Sequence, residues 1–344
     1  MKHSFYAFAA AIVMLLPSCT LDEDISVSEP EKYTLTVNVG APATKVVGQV
    51  ASDMMLKNFQ ILVFTDKGNF ETSTLLCSNV TQIDLKVLPG AKKVWTVANI
   101  PGRIADPENE TAFLNQLTQL RFNTTEKMTM SKFESVTINA DTELNIALEH
   151  IASKVVVDKI TRQFNNAGYA SIPLTVKRIY LSNVAGDTNF ACTKNPTEWF
   201  NKMGVIDTSA GSQILDLIVD DGINYPLAQN SSYNTTHTFY AYPNPHSTDN
   251  FGTTWVARHT RLVIECDYNG RTCYYPITLP QKKGTDPGTL ERNKVYHISE
   301  LVLKRPGSTS PDNPDTEVES KVSVTFKITV ADWAGNTSYT ETFE

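Results

Sequence analysis

The chain has 344 residues, of which 41% are apolar, and its formal net charge at pH 7 is −7. This length accommodates about two domains, and the apolar share is enough for packed cores and excludes global disorder. A net acidic chain without a basic cluster also argues against nucleic acid as a partner, because nucleic-acid affinity comes from lysine and arginine side chains.

The first residues have the pattern of a secretory signal. A short positive region, MKH, precedes the apolar run SFYAFAAAIVMLL, and LPSC closes the segment. The run is too short to span a bilayer comfortably, so the sequence predicts a signal peptide over residues 1–18. LPSC is similar to a bacterial lipobox, in which the cysteine, here Cys19, becomes the lipidated first residue and anchors the chain to a membrane. An ordinary signal peptide with a chance cysteine is the alternative.

The segment KYTLTVNV, residues 32–39, predicts the first strand of the mature chain. Its apolar side chains alternate with Thr and Asn, which is the period of a half-buried strand. These apolar residues are Tyr33, Leu35, Val37 and Val39. A loop, APATK, follows and ends at Lys45, directly before Val46. Taken alone, these residues fit an ordinary first strand and an ordinary loop lysine.

Short strand-like runs separated by Gly, Pro, Asn and Asp turns occupy most of the remaining chain. FQILVFTDKGNF, TQIDLKVLPG and KKVWTVANIPG precede one helical stretch, NETAFLNQLTQLRF, and the strand pattern restarts near residue 150. Many short strands with polar loops favour antiparallel sandwiches over alternating strands and helices. We therefore predict an all-β protein with two antiparallel β-sandwich domains in tandem, over residues 46–148 and 149–304.

Two of the cysteines after Cys19 lie on either side of a predicted hairpin turn. Asn269-Gly270 is a strong two-residue turn signal, and it places Cys266 opposite Cys273. In an oxidising compartment this pair fits a cross-strand disulfide, and two buried thiols on one face fit the sequence equally well. The spacing is not that of a zinc site.

The end of the chain separates into a linker and an amphipathic segment. Residues 305–320 are rich in Pro, Ser, Asp and Gly and lack an apolar period, which predicts a flexible linker. Residues 321–344, which we call the tail, begin with a cleanly alternating strand. An unpaired strand exposes its backbone groups and its apolar face, so this one must pair with another molecule or with the chain's own second domain. Its apolar row is Val322, Val324, Phe326, Ile328 and Val330.

In its order of motifs the chain resembles the fimbrillins, the pilins of the type V fimbriae of anaerobic Gram-negative bacteria. The resemblance covers essentially the whole chain. It rests on the lipobox cysteine and on six later segments, YTLTVNV, VWTVANIPG, LEHIASKVVV, TFYAYPNP, LERNKVYHISELVL and VSVTFKITVADW. No single segment is specific, and their common order carries the resemblance.

The resemblance implies two transthyretin-like sandwiches and a lipoprotein precursor carried to the outer membrane, with residues 19–45 as a propeptide. A trypsin-like protease would cut between Lys45 and Val46 and release the first strand together with its lipid. The emptied groove would then accept a detachable tail from the next subunit, with the apolar row of that tail as the donor residues. Many family members have Arg at the cut position, so Lys45 is a departure that leaves the identity of the protease open.

The same resemblance implies the partners of the protein. They are other copies of the chain and accessory fimbrial subunits in a cell-surface fimbrium that supports adhesion to a host protein or glycan. It implies no cofactor, no metal and no catalytic residue. Which terminal strand is the donor, and whether the subunit belongs to the shaft, the tip or the anchor, stay open, although the length and Lys45 favour a shaft subunit.

Two other classes of function fit parts of the sequence. An enzyme is disfavoured, because the six histidines lack metal-ligand spacing and the sequence has no nucleophile elbow, phosphate loop or dinucleotide fingerprint. A lipid-anchored glycan-binding protein is the stronger alternative, because aromatic side chains such as Tyr240, Tyr242 and Trp255 could stack on sugars. Core packing is the other interpretation of these side chains.

Overall fold

Alternating apolar and polar side chains build most of this molecule from β-strands. The computed structural model describes residues 30–40, 55–246, 254–279, 289–312, 324–333 and 338–343. Its strands and their sheets confirm the all-β class predicted from the sequence.

The N-terminal region is a sandwich of two sheets. Strand β1 lies in the middle of a three-stranded sheet ordered β4-β1-β8, which faces a five-stranded sheet ordered β3-β2-β5-β7-β9. The strands of this region are β1 (Tyr33–Gly40), β2 (Phe59–Thr65), β3 (Phe70–Ser73), β4 (Gln82–Val87), β5 (Gly90–Ala98), β6 (Leu117–Gln119), β7 (Met130–Ile138), β8 (Thr142–Ala147) and β9 (Glu149–His150).

The inward-facing side chains of these two sheets form one cluster of buried apolar residues. Leu35 and Val37 of β1 pack there with Phe59 and Ile61 of β2 and with Ile146 of β8. The opposite face of the five-stranded sheet is covered as well, because Leu62, Phe64 and Trp95 belong to the second, larger cluster of the molecule. Burial on both faces explains why the segment KKVWTVANIPG is so apolar.

The described residues of the C-terminal region form the remaining strands and two short α-helices. They are β10 (Ser153–Val157), β11 (Ile160–Arg162), α2 (Ala167–Ala170), β12 (Leu174–Ser182), β13 (Val184–Ala185), β14 (Asp187–Asn189), β15 (Trp199–Phe200), α3 (Ser212–Ile218), β16 (Val219–Asp220), β17 (Tyr225–Pro226), β18 (Ser232–Tyr233), β19 (His237–Ala241), β20 (Arg261–Tyr268), β21 (Arg271–Thr278), β22 (Lys294–Leu303), β23 (Val324–Asp332) and β24 (Ser338–Phe343).

Two larger sheets organise this region. The first follows the order β18-β11-β22-β10-β19 and extends beyond β22 to β23 and then β24, and the second follows the order β16-β12-β20-β21 with β17 also paired to β12. Smaller pairs join β13 to β15 and β14 to β6. The β14–β6 pair connects the C-terminal region to the N-terminal one.

The predicted helix over residues 109–122 is wrong for most of its length. A helix, α1, covers only Glu110–Leu114, where the Asn109 side chain caps its first turn by accepting a hydrogen bond from Ala112 N at 2.9 Å. The following residues pair as β6 with β14 and then form a 3-10 turn over Leu120–Phe122. Leu117, one of the apolar residues at helical spacing in this stretch, is solvent-exposed. The chain leaves the helix because this ladder to the C-terminal region satisfies its backbone groups instead.

Two of the sheets are mixed, although the sequence predicted antiparallel ones. The five-stranded N-terminal sheet and the sheet that contains β12 and β20 are antiparallel, as predicted. Strand β1 runs parallel to β8, and both β10 and β11 run parallel to β22. Parallel neighbours require long connections, so they join strands far apart in the sequence. Turn signals at single positions predict hairpins but not such distant pairs.

The described residues from Lys32 onward belong to one compact unit. The predicted boundary after residue 148 falls directly before β9, which pairs with β7 of the N-terminal sandwich. The chain therefore crosses into the C-terminal region between His150 and Ser153. Two transthyretin-like domains with a detachable tail stay a prediction.

Candidate functional site

Strand β1 is held on both sides in the three-stranded sheet. Its antiparallel register with β4 runs from Tyr33 opposite Val87 to Asn38 opposite Gln82. Its parallel register with β8 runs from Leu35 beside Thr142 to Gly40 beside Ala147. Because neighbouring strands lie about 4.8 Å apart, loss of β1 would leave a gap of about 10 Å between β4 and β8. We call this space the β1 groove.

The inner face of β1 fills the groove with apolar side chains. Leu35 and Val37 are fully buried and Val39 is 3% exposed, whereas Tyr33 at the beginning of the strand is half-buried. At about 1.5–3 kcal/mol for each fully buried side chain, the three together contribute about 4.5–9 kcal/mol. This is comparable to the net stability of a whole domain, about 5–15 kcal/mol. The N-terminal sandwich therefore needs a strand in this groove.

The outer face of β1 is polar and lies among carboxylates. Thr36 has Asp84 of β4 on one side and Glu143 of β8 on the other. Thr36 Oγ1 donates a hydrogen bond to Asp84 Oδ1 at 2.7 Å, and Asn38 Nδ2 donates one to Glu143 Oε1 at 2.6 Å. The strand thus presents neutral groups to a groove whose rim is acidic at this level.

One end of the groove is fixed by Asp141. Its Oδ1 atom accepts a hydrogen bond from the backbone N–H of Thr34 at 2.7 Å. This hydrogen bond is the main reason that the pKa of the Asp141 carboxyl lies below its ordinary value, and the nearby Lys86 adds to the effect. The carboxylate form of Asp141 therefore favours the seated β1.

The residues that the sequence predicts for lipidation and cleavage lie outside the described residues. They are the lipidation site Cys19 and the cleavage pair Lys45 and Val46. The described part of β1 ends at Gly40, five residues before Lys45. These three assignments stay predictions.

The predicted donor strand is folded onto its own chain. Strand β23 pairs antiparallel with β22 on one side and with β24 on the other. Its row of four apolar side chains is buried in the core of the C-terminal region. This is the alternative from the sequence in which the tail pairs with the chain's own second domain. This row is Val324, Phe326, Ile328 and Val330, while Val322 lies outside the described residues.

A tryptophan directly after β23 anchors the tail. The Trp333 ring is fully buried and stacks on the imidazole of His150, with 3.9 Å between ring centroids. Lys154 Nζ lies 5.7 Å from the Trp333 ring centroid, and Trp333 N donates a hydrogen bond to Asn293 O at 2.8 Å. Release of the tail must therefore also withdraw a large aromatic side chain from this pocket.

Residues 305–312, the described half of the predicted linker, pack against the C-terminal region. Ser308 exchanges two backbone hydrogen bonds with Tyr274 of β21, each 2.8 Å long. The buried Asp312 carboxylate then contacts Arg258 Nη1 at 2.6 Å and Arg261 Nη1 at 2.9 Å. We call residues 305–312 the strap. Composition predicted flexibility here, but a buried ion pair holds the strap in place.

The hairpin with the two cysteines has the predicted register. Asn269 and Gly270 both have positive φ, at 56° and 78°, which the tight turn requires. Cys266 lies opposite Cys273, and both are free thiols. Burial raises the pKa of Cys273 to about 11 and that of Cys266 well above its ordinary value. Both groups are therefore protonated at neutral pH, and a disulfide between them stays a prediction.

The aromatic side chains considered for sugar stacking are used in packing. Tyr240 is nearly buried and Tyr242 is fully buried, where its hydroxyl contacts Asn123 and Thr118. Trp255 is partly exposed, but the cationic groups of Arg258 and Lys202 lie 5.4 and 5.7 Å from its ring centroid. Core packing therefore accounts for Tyr240 and Tyr242, and Trp255 packs against Arg258, Lys202 and Trp199.

The described residues contain no cluster of three or more His, Cys, Asp or Glu side chains that could hold a metal ion. Among the same residues, no helix is both long and apolar enough to cross a bilayer.

Neither a protein-family model nor a curated protein matches the chain, but solved structures do. A candidate cell adhesion protein from Bacteroides eggerthii is 22% identical with a TM-score of 0.63, over 88% of this chain and 97% of that one. A fimbrilin, FimA from Porphyromonas gingivalis, is 16% identical with a TM-score of 0.61, over 89% and 98%.

The tip fimbrial protein Mfa3 from Porphyromonas gingivalis, solved with a C-terminal truncation, is also similar. It is 15% identical with a TM-score of 0.54, over 88% of this chain and 100% of that one. The fold is thus one shared by cell adhesion and fimbrial proteins. More particularly, the chain has the fimbrilin fold, which the sequence motifs had suggested.

Three features of the site were not found from the sequence. They are the acidic rim of the β1 groove, the Asp312 ion pair and the Trp333 pocket. Asp84 and Glu143 lie 59 positions apart, and only the insertion of β1 between their strands makes them flank one residue. The tryptophan was visible in the segment VADW, but nothing in the sequence indicated its partner His150.

Proposed function

We propose that this chain is a structural subunit of a cell-surface fimbria. In this proposal it is exported as an outer-membrane lipoprotein through Cys19 and cut between Lys45 and Val46 by a trypsin-like protease. Cleavage frees β1, and the tail of a neighbouring copy takes its place in the β1 groove. Before cleavage the lipid anchors the precursor to the membrane, and afterwards the subunit belongs to the fibre.

The central position of β1 carries this proposal. A strand at the middle of a sheet leaves a slot with hydrogen-bonding groups on both sides, and an added strand can restore both ladders at once. Strand β23 has the apolar period that the slot needs, since Phe326, Ile328 and Val330 repeat the alternation of Leu35, Val37 and Val39. Repeated head to tail, such a contact does not close on itself and gives a filament.

The fimbrilin fold supports the same proposal. Proteins with this fold include a fimbrilin and a tip fimbrial protein. We propose other copies of the chain and accessory fimbrial subunits as partners, and adhesion to a host protein or glycan as the role of the fibre. The proposal also accounts for the burial of the apolar row of β23 in its own chain. This row must be ordered in the monomer and must later become available to the groove of a neighbouring copy.

Trypsin treatment of the purified mature precursor, without its lipid, tests the proposal. The expected new N-terminus is Val46, and the cleaved protein should form a ladder of multimers that resists mild SDS. A Lys45→Gln variant is the control, because it removes only the basic side chain at the cut and should stay monomeric. Cleavage at Val46 that yields only monomers, with residues 32–39 still bound, would contradict assembly and favour a lipid-anchored monomer such as a glycan-binding protein.

A further inference from the structure

We infer that Lys327 fixes the register in which the tail enters the β1 groove, by taking the place of Thr36 between Asp84 and Glu143. The inference rests on the proposed function and names the partner as a second copy of this same chain. It identifies Lys327 as a specificity-determining residue of the tail.

The groove supplies two carboxylates at one level. Asp84 and Glu143 are exposed residues on the two strands that flank Thr36. Within the described ranges neither carboxylate has a cation at ion-pair distance, and each accepts a hydrogen bond from a neutral side chain of β1. A cationic side chain at the position of Thr36 would lie between two opposite charges.

Among its described residues, the tail supplies one cation on the matching face. The outward row of β23 is Thr325, Lys327, Thr329 and Ala331, and Lys327 is its charged member. On its own chain Lys327 lies opposite Glu300, but the Glu300 carboxylate is bound by Lys159 at 2.9 Å and by Thr161 at 3.0 Å. In the described part of the chain Lys327 has no ion pair. While the tail is docked on its own chain, the Lys327 ammonium group therefore has no carboxylate partner among the described residues.

This alignment superposes the apolar rows as well. With Lys327 in the place of Thr36 and the tail running in the direction of β1, the tail residues Phe326, Ile328 and Val330 take the places of Leu35, Val37 and Val39. Val324 then takes the place of Tyr33, so all four described residues of the tail's apolar row are used.

Charge is needed because hydrophobic alternation leaves the register ambiguous. A slip by one residue would turn the apolar row outward, but a slip by two keeps it inward. In one of these slipped registers Lys327 would take the place of Thr34, between the cation of Lys86 and the carboxylate of Asp141. In the other it would take the place of Asn38, between Gln82 and Asn145, with Glu143 as the one carboxylate that contacts this position. Only the unslipped register places Lys327 between two carboxylates.

Charge reversal in trypsin-cleaved subunits tests this register. A Lys327→Glu variant places three carboxylates side by side, and we expect ladder growth at low salt to slow about tenfold. The difference should shrink in about 1 M salt, where the screening length is about 3 Å. Ala331→Glu is the control, since it adds a carboxylate two outward positions away, at the place of Gly40 beside Ala147, and should slow growth less than about threefold.

A compensating change in the groove separates recognition from any effect on the tail itself. Asp84→Lys alone should slow assembly with the natural tail, and the Asp84→Lys/Lys327→Glu double variant should recover at least half of the original rate. If natural subunits do not form ladders at all, the proposed function fails. If they do, but Lys327→Glu behaves like Ala331→Glu or the double variant is not rescued, the register is overturned while strand exchange stands.

Discussion

Strands β1 and β23 have the same pattern of side chains but different surroundings. Both bury an alternating apolar row and expose threonines on the other face. Strand β1 lies between β4 and β8, which have no other connection to each other in their sheet. Strand β23 lies near a margin, because only β24 extends beyond it.

The difference shows that pattern alone does not decide which strand can be exchanged. Removal of β1 opens a slot in a sheet of three strands, whereas removal of the tail only exposes the edge of β22. Both strands are also restrained by their covalent connections along the chain. Strand β1 is connected to the segment that ends at Lys45, and the tail follows the strap, which ends at Asp312. Under the proposed function, exchange would therefore need two separate releases, cleavage on one side and undocking of the tail on the other.

A reversible lock on the tail gives the largest expected effect. Val302 and Thr325 are register partners on β22 and β23, at the 4.5–5.5 Å Cα separation usual for antiparallel pairs, so Val302→Cys/Thr325→Cys can form a disulfide. The oxidised variant should be cut normally but form no ladder, because its tail cannot leave. Assembly is followed by SDS gels before and after reduction.

Reduction provides the internal control for the lock. Ladders should return when a reductant opens the engineered disulfide, and either single cysteine variant should assemble at the natural rate. Full assembly by the oxidised double variant would mean that the tail is not the donor.

Truncation of a buried side chain on β1 gives an intermediate effect that depends on the stage of assembly. Leu35→Ala should lower the free energy of unfolding of the uncut precursor by about 2–5 kcal/mol, because it leaves a cavity in the N-terminal core. Assembled fibres should be as stable as those of the natural chain, because cleavage and exchange would have removed β1 and with it residue 35. Urea denaturation of precursor and fibre measures both quantities.

Phe326→Ala is the paired variant in the tail. It should destabilise the fibre, because Phe326 occupies the groove there. A fibre weakened by Leu35→Ala would show that β1 is still present after assembly.

Removal of the Asp141 carboxylate gives the smallest expected effect, and it depends on pH. The folded pKa of Asp141 lies below its ordinary value of 3.8, so its contribution to stability is present above that pH and is lost as the pH falls through the folded pKa. Asp141→Asn should therefore flatten the decline in precursor stability below about pH 4. Urea midpoints at several pH values measure this slope, with the exposed Glu126→Gln as a control that leaves it unchanged.

The sequence predicted the strands better than their partners. Alternation located β1 and β23, and Asn269-Gly270 located a hairpin with its register. The period around Leu117 suggested a helix, but pairing with a distant strand prevailed over this local preference. Parallel pairs such as β1 with β8 depend on contacts between residues about a hundred positions apart, and a single sequence does not contain that information.

Charges were the least predictable part of the site. Asp312 lies in a segment rich in Pro, Ser and Gly, where a carboxylate would ordinarily be solvated, and only the fold brings Arg258 and Arg261 to it. Lys327 likewise looked like any exposed residue of an amphipathic strand. Its significance depends on Asp84 and Glu143, which become neighbours only in the folded sheet.

Mass spectrometry of fibres isolated from the cell surface tests the central claim most directly. We predict that the subunits in the fibre begin at Val46 and that peptides from residues 32–39 are missing. Fibres in which every copy keeps those residues covalently attached would contradict it.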